Sequence, residues 1–219
     1  MSSLPLNLNK KKQLFTAISL LQLCFIFCLN STGQSKWVIE NYNYFGQPGA
    51  GAVVPMIHFE TKRNWYAELR YNYEDNKTIS LFAGKSFKGG SSFSYSITPL
   101  AGFSAGNFTG VSLGINADAE WKKIYLSSQT QYSMGIKKDE ANFFFTWSEL
   151  GYNISNHFFG GIAIQYTGTA VVNNFEPGFV AGFELNNFSF PVYVFSPFQD
   201  SRYFIVGVNY EYSLKKKKK

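Results

Sequence analysis

The amino-acid sequence predicts an all-β protein, an antiparallel transmembrane β-barrel of about twelve strands. Three observations support this prediction: apolar and polar residues alternate with a period of two, the connections alternate between short and long, and charges are few. Only 16% of the 219 residues are charged and 19% are aromatic, whereas an average soluble domain has roughly 25% charged residues. A mean hydropathy of −0.13 excludes a bundle of transmembrane helices, but strands with alternating polarity can span a membrane at such a value.

The first 35 residues are predicted to be a cleaved signal peptide. Lys10–Lys12 form a positive region before the apolar stretch Leu14–Leu29. This stretch is shorter than a membrane-spanning helix, which needs about 20 residues. Small residues then allow cleavage after Gly33 or after Ser35. The alternative is an uncleaved N-terminal anchor.

The positions of cysteine and lysine limit the chemistry of the mature chain. Both cysteines, Cys24 and Cys28, lie in the predicted signal peptide, so no disulfide, thiol chemistry or thiolate metal site is expected. The net charge of +6 arises at the chain ends, because residues 36–214 contain twelve basic and fourteen acidic residues. A body without a basic excess excludes nucleic acid as a partner. The tail Lys215–Lys219 is interpreted as solvated, or alternatively as a contact with an anionic surface.

Residues 36–214 are predicted to form the barrel as a series of short alternating runs. In the clearest run, Trp65–Glu74, one face is apolar and aromatic while the other is polar. The runs lie near 37–45, 53–60, 65–74, 78–87, 92–103, 108–120, 123–134, 142–153, 158–168, 177–186, 188–196 and 203–214. Most have the roughly 9–11 residues that a tilted membrane strand needs. Ten strands is the alternative, because the first run alternates poorly and the run 142–153 contains Phe143–Phe145.

The lengths of the connections give a second signal. The connections after even-numbered runs are short, near 62–64, 89–90, 121–122, 155–156 and 187. The others are mostly longer, near 46–51, 75–77, 104–107, 135–141, 169–176 and 197–202. An even number of strands brings both termini to one side, so the short turns are expected at the terminal side. Transmembrane barrels have short periplasmic turns and longer outer loops.

These features together resemble bacterial outer-membrane β-barrel proteins. The resemblance rests on a signal peptide, cysteine-free amphipathic strands and a last strand, Tyr203–Leu214, rich in alternating aromatic residues. It is architectural, covers the mature chain and identifies no particular family. It implies the cell outer membrane as the location, with outer-membrane lipid and the barrel-assembly machinery as partners. Such chains commonly stop at an aromatic residue, whereas here Tyr212 is followed by Ser213, Leu214 and five lysines.

Two other classes of protein are alternatives to an outer-membrane β-barrel. A soluble secreted β-sandwich or β-barrel binding protein would also alternate, but it would bury a face made mostly of Val, Ile and Leu. An outer-membrane lipid-modifying enzyme would need a base beside a hydroxyl nucleophile. The only histidines are His58, predicted to face the lumen, and His157, predicted in a short turn. No phosphate-binding glycine loop, HExxH motif or paired His and Cys spacing occurs, so we predict no enzyme, metal site or cofactor.

Charged residues within the strands are predicted to face the lumen, because a Lys or Arg on the lipid face at mid-bilayer costs about 2–4 kcal/mol. The lumen candidates are His58, Glu60, Glu68, Arg70, Asp118, Glu120, Glu184 and Glu211. In a pore, this excess of carboxylates would favour cations, whereas in a filled barrel it would form hydrogen-bonded clusters. We therefore predict a narrow, weakly cation-preferring pore for small solutes or cations, or a passive structural envelope protein.

Overall fold

A computed structural model describes residues 35–46, 51–138 and 140–214 of the chain. The predicted signal peptide, apart from Ser35, and the tail Lys215–Lys219 lie outside the described residues. The strands are β1 (Lys36–Gly46), β2 (Val53–Glu60), β3 (Trp65–Tyr71), β4 (Ile79–Lys85), β5 (Phe87–Gly89), β6 (Phe93–Ala105), β7 (Gly110–Trp121), β8 (Ile124–Gly135), β9 (Phe143–Asn153), β10 (Phe158–Thr169), β11 (Asn173–Leu185), β12 (Phe188–Phe195) and β13 (Tyr203–Ser213). No helix long and apolar enough to cross a bilayer occurs in the described residues.

All strands belong to one antiparallel sheet that closes on itself. Each strand pairs with its neighbours along the chain, and β1 pairs with β13 to close the barrel. β4 and β5 are two halves of one barrel strand, since both pair with β6 in the same register. The interruption lies opposite Pro99, which has no N–H to donate to the ladder. The barrel therefore has twelve strands, as predicted, and not the alternative of ten.

The two ends of the barrel differ in the length of their connections. The first and last described residues lie at one end, where the Leu214 N–H donates to the Ser35 carbonyl at 3.0 Å. The five connections at this terminal end have two to four residues, whereas the six at the opposite, loop end have three to seven. The predicted asymmetry is confirmed, and it is the one that places the terminal end on the periplasmic side of a transmembrane barrel.

The outer face of the barrel is an apolar belt. Every barrel strand contributes exposed apolar side chains, among them Ile39, Val53, Trp65, Leu81, Phe103, Leu113, Leu126, Leu150, Ile162, Phe179, Val192 and Phe204. No strand-borne carboxylate of the described residues lies on this face. Exposed apolar surface on this scale marks a membrane contact and argues against the soluble alternative.

Glycines on the inner face of the wall lie opposite aromatic rings of neighbouring strands. These directly paired residues are Tyr42 and Gly207, Phe82 and Gly102, Tyr125 and Gly151, Phe159 and Gly182, and Phe195 and Gly178. A Cβ atom added at Gly102 would lie 2.3 Å from the Phe82 ring, and one at Gly151 would lie 2.2 Å from the Tyr125 ring. The rings thus cover the glycines and lie along the wall, an arrangement that pins the register of neighbouring strands.

Candidate functional site

The lumen is the candidate site, and its loop half is closed by an apolar core. The core consists of Tyr42, Val54, Met56, Trp147, Ala163, Val180, Tyr193, Phe195, Tyr203 and Ile205. These side chains point inward because they occupy alternate positions of β1, β2 and β9–β13 whose neighbours form the outer belt. These side chains form a packed core inside the barrel, like the core of a soluble domain.

Aromatic side chains meet across the lumen at mid-height. The rings of Tyr42 on β1 and Trp147 on β9 are 5.3 Å apart between centroids. The ring of Tyr73, in the connection after β3, lies 5.5 Å from that of Phe145. The Tyr73 hydroxyl also donates to Gln129 Oε1 at 2.9 Å. These contacts join opposite walls and narrow any path through the barrel.

A charged cluster closes the other side of the loop half. We call Arg70, Glu68, Glu74 and Gln131 the Arg70 cluster. The guanidinium of Arg70, whose side chain is 1% exposed, contacts Glu68 at 2.6 Å and Glu74 at 3.2 Å. It also donates to Gln131 Oε1 at 2.6 Å. Because β3 and β8 are not neighbours, the bond to Gln131 connects separate parts of the wall.

Stacking and hydroxyl groups complete the surroundings of Arg70. Its guanidinium carbon lies 4.4 Å from the ring centre of Tyr73 and 4.3 Å from that of Phe82. Ser80 donates to Glu74 and also lies 2.8 Å from the Ser104 hydroxyl. A buried ion cluster needs this degree of hydrogen bonding to offset its desolvation.

The terminal half of the lumen is open, and we call this part the vestibule. A cavity of about 420 Å³ is lined by Lys36, Glu40, His58, Glu60, Lys88 and Asp118, among other residues. A second cavity, of about 810 Å³, is lined by residues that include Glu184, Asn186, Asn187 and Asn209. Glu40 and Glu211 line both cavities, so the two form one acidic space at the terminal end.

A chain of polar contacts connects the vestibule to the Arg70 cluster. His58 Nε2 lies 3.4 Å from Glu40 Oε2, and His58 Nδ1 lies 3.0 Å from the Tyr66 hydroxyl. The Tyr66 hydroxyl donates to Glu68 at 2.7 Å. Asn116 Nδ2 approaches the same hydroxyl at 3.4 Å. The polar lining is therefore continuous from the open half into the closed half.

The eight residues singled out from the sequence occupy three positions in this lumen. Glu68 and Arg70 lie buried in the loop half. His58, Glu60, Asp118 and Glu211 line the vestibule. Glu184 lines the second cavity of the vestibule, and Glu120 is exposed beside Asp118 toward the terminal mouth. Two of the vestibule carboxylates are paired: Glu60 with Lys88 at 2.6 Å and Glu211 with Lys36 at 2.8 Å.

Four further inward carboxylates lie outside the candidate set: Glu40, Glu74, Glu149 and Glu176. Of these, the sequence pattern does place Glu74 on the polar face of the run Trp65–Glu74 and offers Glu149 as a further inward carboxylate. Glu40 was missed because the alternation of β1 is mixed. Glu176 was assigned to a connection, but it lies in β11. The sequence predicts that Lys88 belongs to the turn after the run 78–87, but it lies within β5. Its position in the alternation of that strand directs its ammonium inward to Glu60. Ser80, Phe82 and Ser86 are inward positions of the same barrel strand, and Lys88 is the next position in that series. Extending the alternation by one step would have predicted that Lys88 faces the lumen.

The histidines have no contacts of the kind that hydrolysis requires. Within the described residues, the ring of His58 contacts a phenol and a carboxylate, not an aliphatic hydroxyl. The ring of His157 contacts the Glu184 carbonyl at 3.2 Å, in a terminal-end turn. No group of three or more His, Cys, Asp or Glu side chains in residues 35–46, 51–138 and 140–214 is arranged to hold a metal ion.

The geometry defines the class of protein: a closed twelve-stranded transmembrane β-barrel with a filled loop half and an open, acidic terminal half. Among solved structures, the KdgM porin is similar to this chain with a TM-score of 0.55 and 12% identity, over 80% of this chain and 98% of that chain. The NanC porin is similar with a TM-score of 0.53 and 10% identity, over 80% and 98% of the two chains. The KdgM porin has also been solved in complex with disordered oligogalacturonate.

At these identities the likeness concerns the fold. It confirms the predicted architecture, a closed antiparallel β-barrel like that of the porins. No protein-family model and no curated protein matches the sequence.

Proposed function

We propose that the protein is a narrow outer-membrane channel that favours small cations and neutral solutes over anions. The observation that carries this proposal is the charge of the vestibule. Within the described residues, Glu40, Asp118, Glu120 and Glu184 line the terminal half without an ion pair to Lys or Arg. Carboxylates in a confined, low-dielectric space raise the local concentration of cations and lower that of anions.

The path of such a channel follows the polar side of the lumen. From the vestibule it passes Tyr66 and Asn116 and then reaches Gln129 beside Tyr73. Tyr73 and its contacts narrow this path, so its side chain must move aside for a solute to pass. We therefore expect a small unit conductance rather than the wide aqueous bore of sixteen-stranded porins.

The acidic vestibule also separates this chain from the ligand seen with a protein of the same fold. Oligogalacturonate, found in complex with the KdgM porin, carries a carboxylate on each sugar. A lumen in which carboxylates outnumber cations would repel such a polyanion. Fold likeness therefore does not extend to this ligand in our proposal, and we expect no passage of acidic oligosaccharides.

The test is the reversal potential of the purified barrel in a planar bilayer under a KCl gradient. We expect a sign that indicates K⁺ preference. Replacing two vestibule carboxylates (Glu40→Gln with Asp118→Asn) should reduce the preference, because the fixed negative charge falls. The matched control is Glu140→Gln, which removes a carboxylate from a loop-end connection and should leave selectivity unchanged. Anion preference of the folded wild-type barrel would contradict the proposal.

A second candidate function is a passive structural barrel, and the filled loop half supports it. The Arg70 cluster and the apolar core occupy the lumen as a soluble protein's core occupies its interior. A heat-modifiable, fully folded barrel that conducts no ions would favour this candidate. The assembly machinery and outer-membrane lipid remain its proposed partners under either function.

A further inference from the structure

Charges at the terminal end are separated into an inner and an outer set. The strand-borne carboxylates near this end, such as Glu60 and Glu211, belong to the inner wall. The outer set is basic: Arg63 in the β2–β3 connection, Lys85 on the outer face of β4, and Lys122 and Lys123 in the β7–β8 connection. We call these four residues the basic rim.

The lysines of the basic rim lie against exposed aromatic rings. The ammonium of Lys85 lies 5.2 Å from the ring centre of Trp65, and that of Lys122 lies 4.8 Å from the ring centre of Trp121. Lys123 is similarly placed 5.8 Å from Tyr152. Trp and Tyr favour the membrane–water interface, and a lysine stem beside such a ring leaves its ammonium at the level of the lipid headgroups.

Lys85 fixes the level of the rim relative to the bilayer. It is the one cation on the outer face of a strand in the described residues, and it pairs in register with Trp65 at the terminal end of β3. A lysine on this face is costly at mid-bilayer and nearly free of cost near the interface. The interfacial zone of the outer face therefore begins close to Lys85, and the exposed rings of Phe87 and Phe93 lie between it and the terminal end.

The described connections of the terminal end contain no carboxylate. The loop end differs, since its connections mix Lys77, Lys138 and Arg202 with acidic residues. Positive charge without compensating carboxylates on the outer surface is thus a property of the terminal end.

We propose that the basic rim is a binding surface for the phosphate groups of anionic phospholipids in the periplasm-facing leaflet. The aromatic partners hold the acyl-chain side of the lipid, while the ammonium groups meet its headgroup. Each lysine near an anionic membrane surface strengthens association about fivefold at low salt, and the effect decays within a Debye length. The proposal does not depend on whether the lumen conducts.

The test uses tryptophan fluorescence of the full folded chain in phosphatidylcholine vesicles. Brominated phosphatidylglycerol or brominated phosphatidylcholine is added at equal fractions, and quenching reports which lipid lies beside the outward-facing residues Trp37, Trp65 and Trp121. We expect stronger quenching by phosphatidylglycerol, and this preference should weaken severalfold in high salt. Heat-modifiability on gels verifies that each variant is folded.

Two triple variants of equal charge change separate this proposal from a general charge effect. Lys85→Gln with Lys122→Gln and Lys123→Gln should lose most of the phosphatidylglycerol preference. The control, Lys77→Gln with Lys137→Gln and Lys138→Gln at the loop end, should retain it. Equal quenching by the two lipids in the wild type, or equal loss in both triple variants, would overturn the proposal.

Discussion

The two halves of the lumen share the same strands, yet one is built as a core and the other as an open acidic space. In the loop half, Arg70 is enclosed by carboxylates and rings, and apolar side chains meet across the barrel. In the terminal half, carboxylates such as Glu40 and Asp118 line open cavities. The comparison teaches that stability and selectivity are assigned to different heights of one wall. Substitutions in the loop half should mainly change the free energy of unfolding. Substitutions in the vestibule should mainly change the ion selectivity.

The largest effect is expected at Arg70. Arg70→Met leaves Glu68 and Glu74 buried without their cation, and loss of one partner of a buried ion cluster costs about 3–5 kcal/mol. The urea midpoint of the folded barrel in detergent measures this loss. The matched control is Lys36→Met, which breaks the half-exposed pair with Glu211 and should cost about 0–1 kcal/mol. Similar shifts for both variants would show that the loop half is not a core.

Trp147→Ala is expected to destabilise the barrel somewhat less than Arg70→Met, but to change the unit conductance more. Trp147→Ala removes the ring that meets Tyr42 across the lumen, at a cost of about 3 kcal/mol for a buried aromatic residue. Because Trp147 pairs in register with Gln129, the gap opens space beside the path at Tyr73, so the unit conductance in planar bilayers should rise. The outward-facing control Trp121→Ala, at the terminal interface, should leave conductance unchanged. A folded Trp147→Ala barrel with wild-type conductance would place the constriction elsewhere.

An intermediate effect is expected where glycines lie under aromatic rings. In Gly102→Ala, the new methyl group overlaps the Phe82 ring, and overpacking of this kind costs about 1–3 kcal/mol. Gly160→Ala is the control, because its Cβ atom would meet nothing closer than 3.4 Å. Unfolding midpoints of the two variants compare the inner and outer faces of the same wall. Equal midpoints would mean that the Phe82 ring moves aside at little cost.

The smallest effect on stability is expected at Lys88, in the vestibule. Lys88→Gln removes the cation paired with Glu60, and partly exposed pairs contribute about 0–1 kcal/mol. Because Glu60 is then uncompensated, cation preference should increase while the unfolding midpoint stays within error. An unchanged cation preference would indicate that Lys88 does not act on the permeating ions.

Much of this architecture could be predicted because period-two alternation is local. Runs such as Trp65–Glu74 carry their inner and outer faces in consecutive residues, and both faces are found as predicted within β3. Beyond β3 the prediction is wrong for Tyr73, which the alternation places on the outer face but which lies in the lumen. The first strand was harder to interpret, since Asn43 lies on the outer face and satisfies its amide by donating to the Val206 carbonyl at 3.3 Å. The break opposite Pro99 was also not predicted, because it depends on the partner strand.

The filling of the lumen could not be predicted in the same way. Arg70 and Gln131 are 61 positions apart in sequence and are bonded across the barrel, a contact set by strand tilt and stagger rather than by local pattern. The sequence does indicate that Arg70 faces inward, but not that two carboxylates and two rings enclose it. Whether a lumen is open or filled is therefore decided by long-range packing.

The glycine and aromatic pairs of the inner wall have a consequence for how such barrels diverge. Each ring lies over the backbone of a neighbouring strand, so the internal calibre is determined by side chains while strand number and hydrogen-bond ladder stay fixed. A glycine and its aromatic partner must then be exchanged together, since either change alone leaves a void or a clash. The inner diameter of a twelve-stranded barrel therefore changes through paired substitutions. Homologues with different inner diameters should differ at these glycine and aromatic pairs.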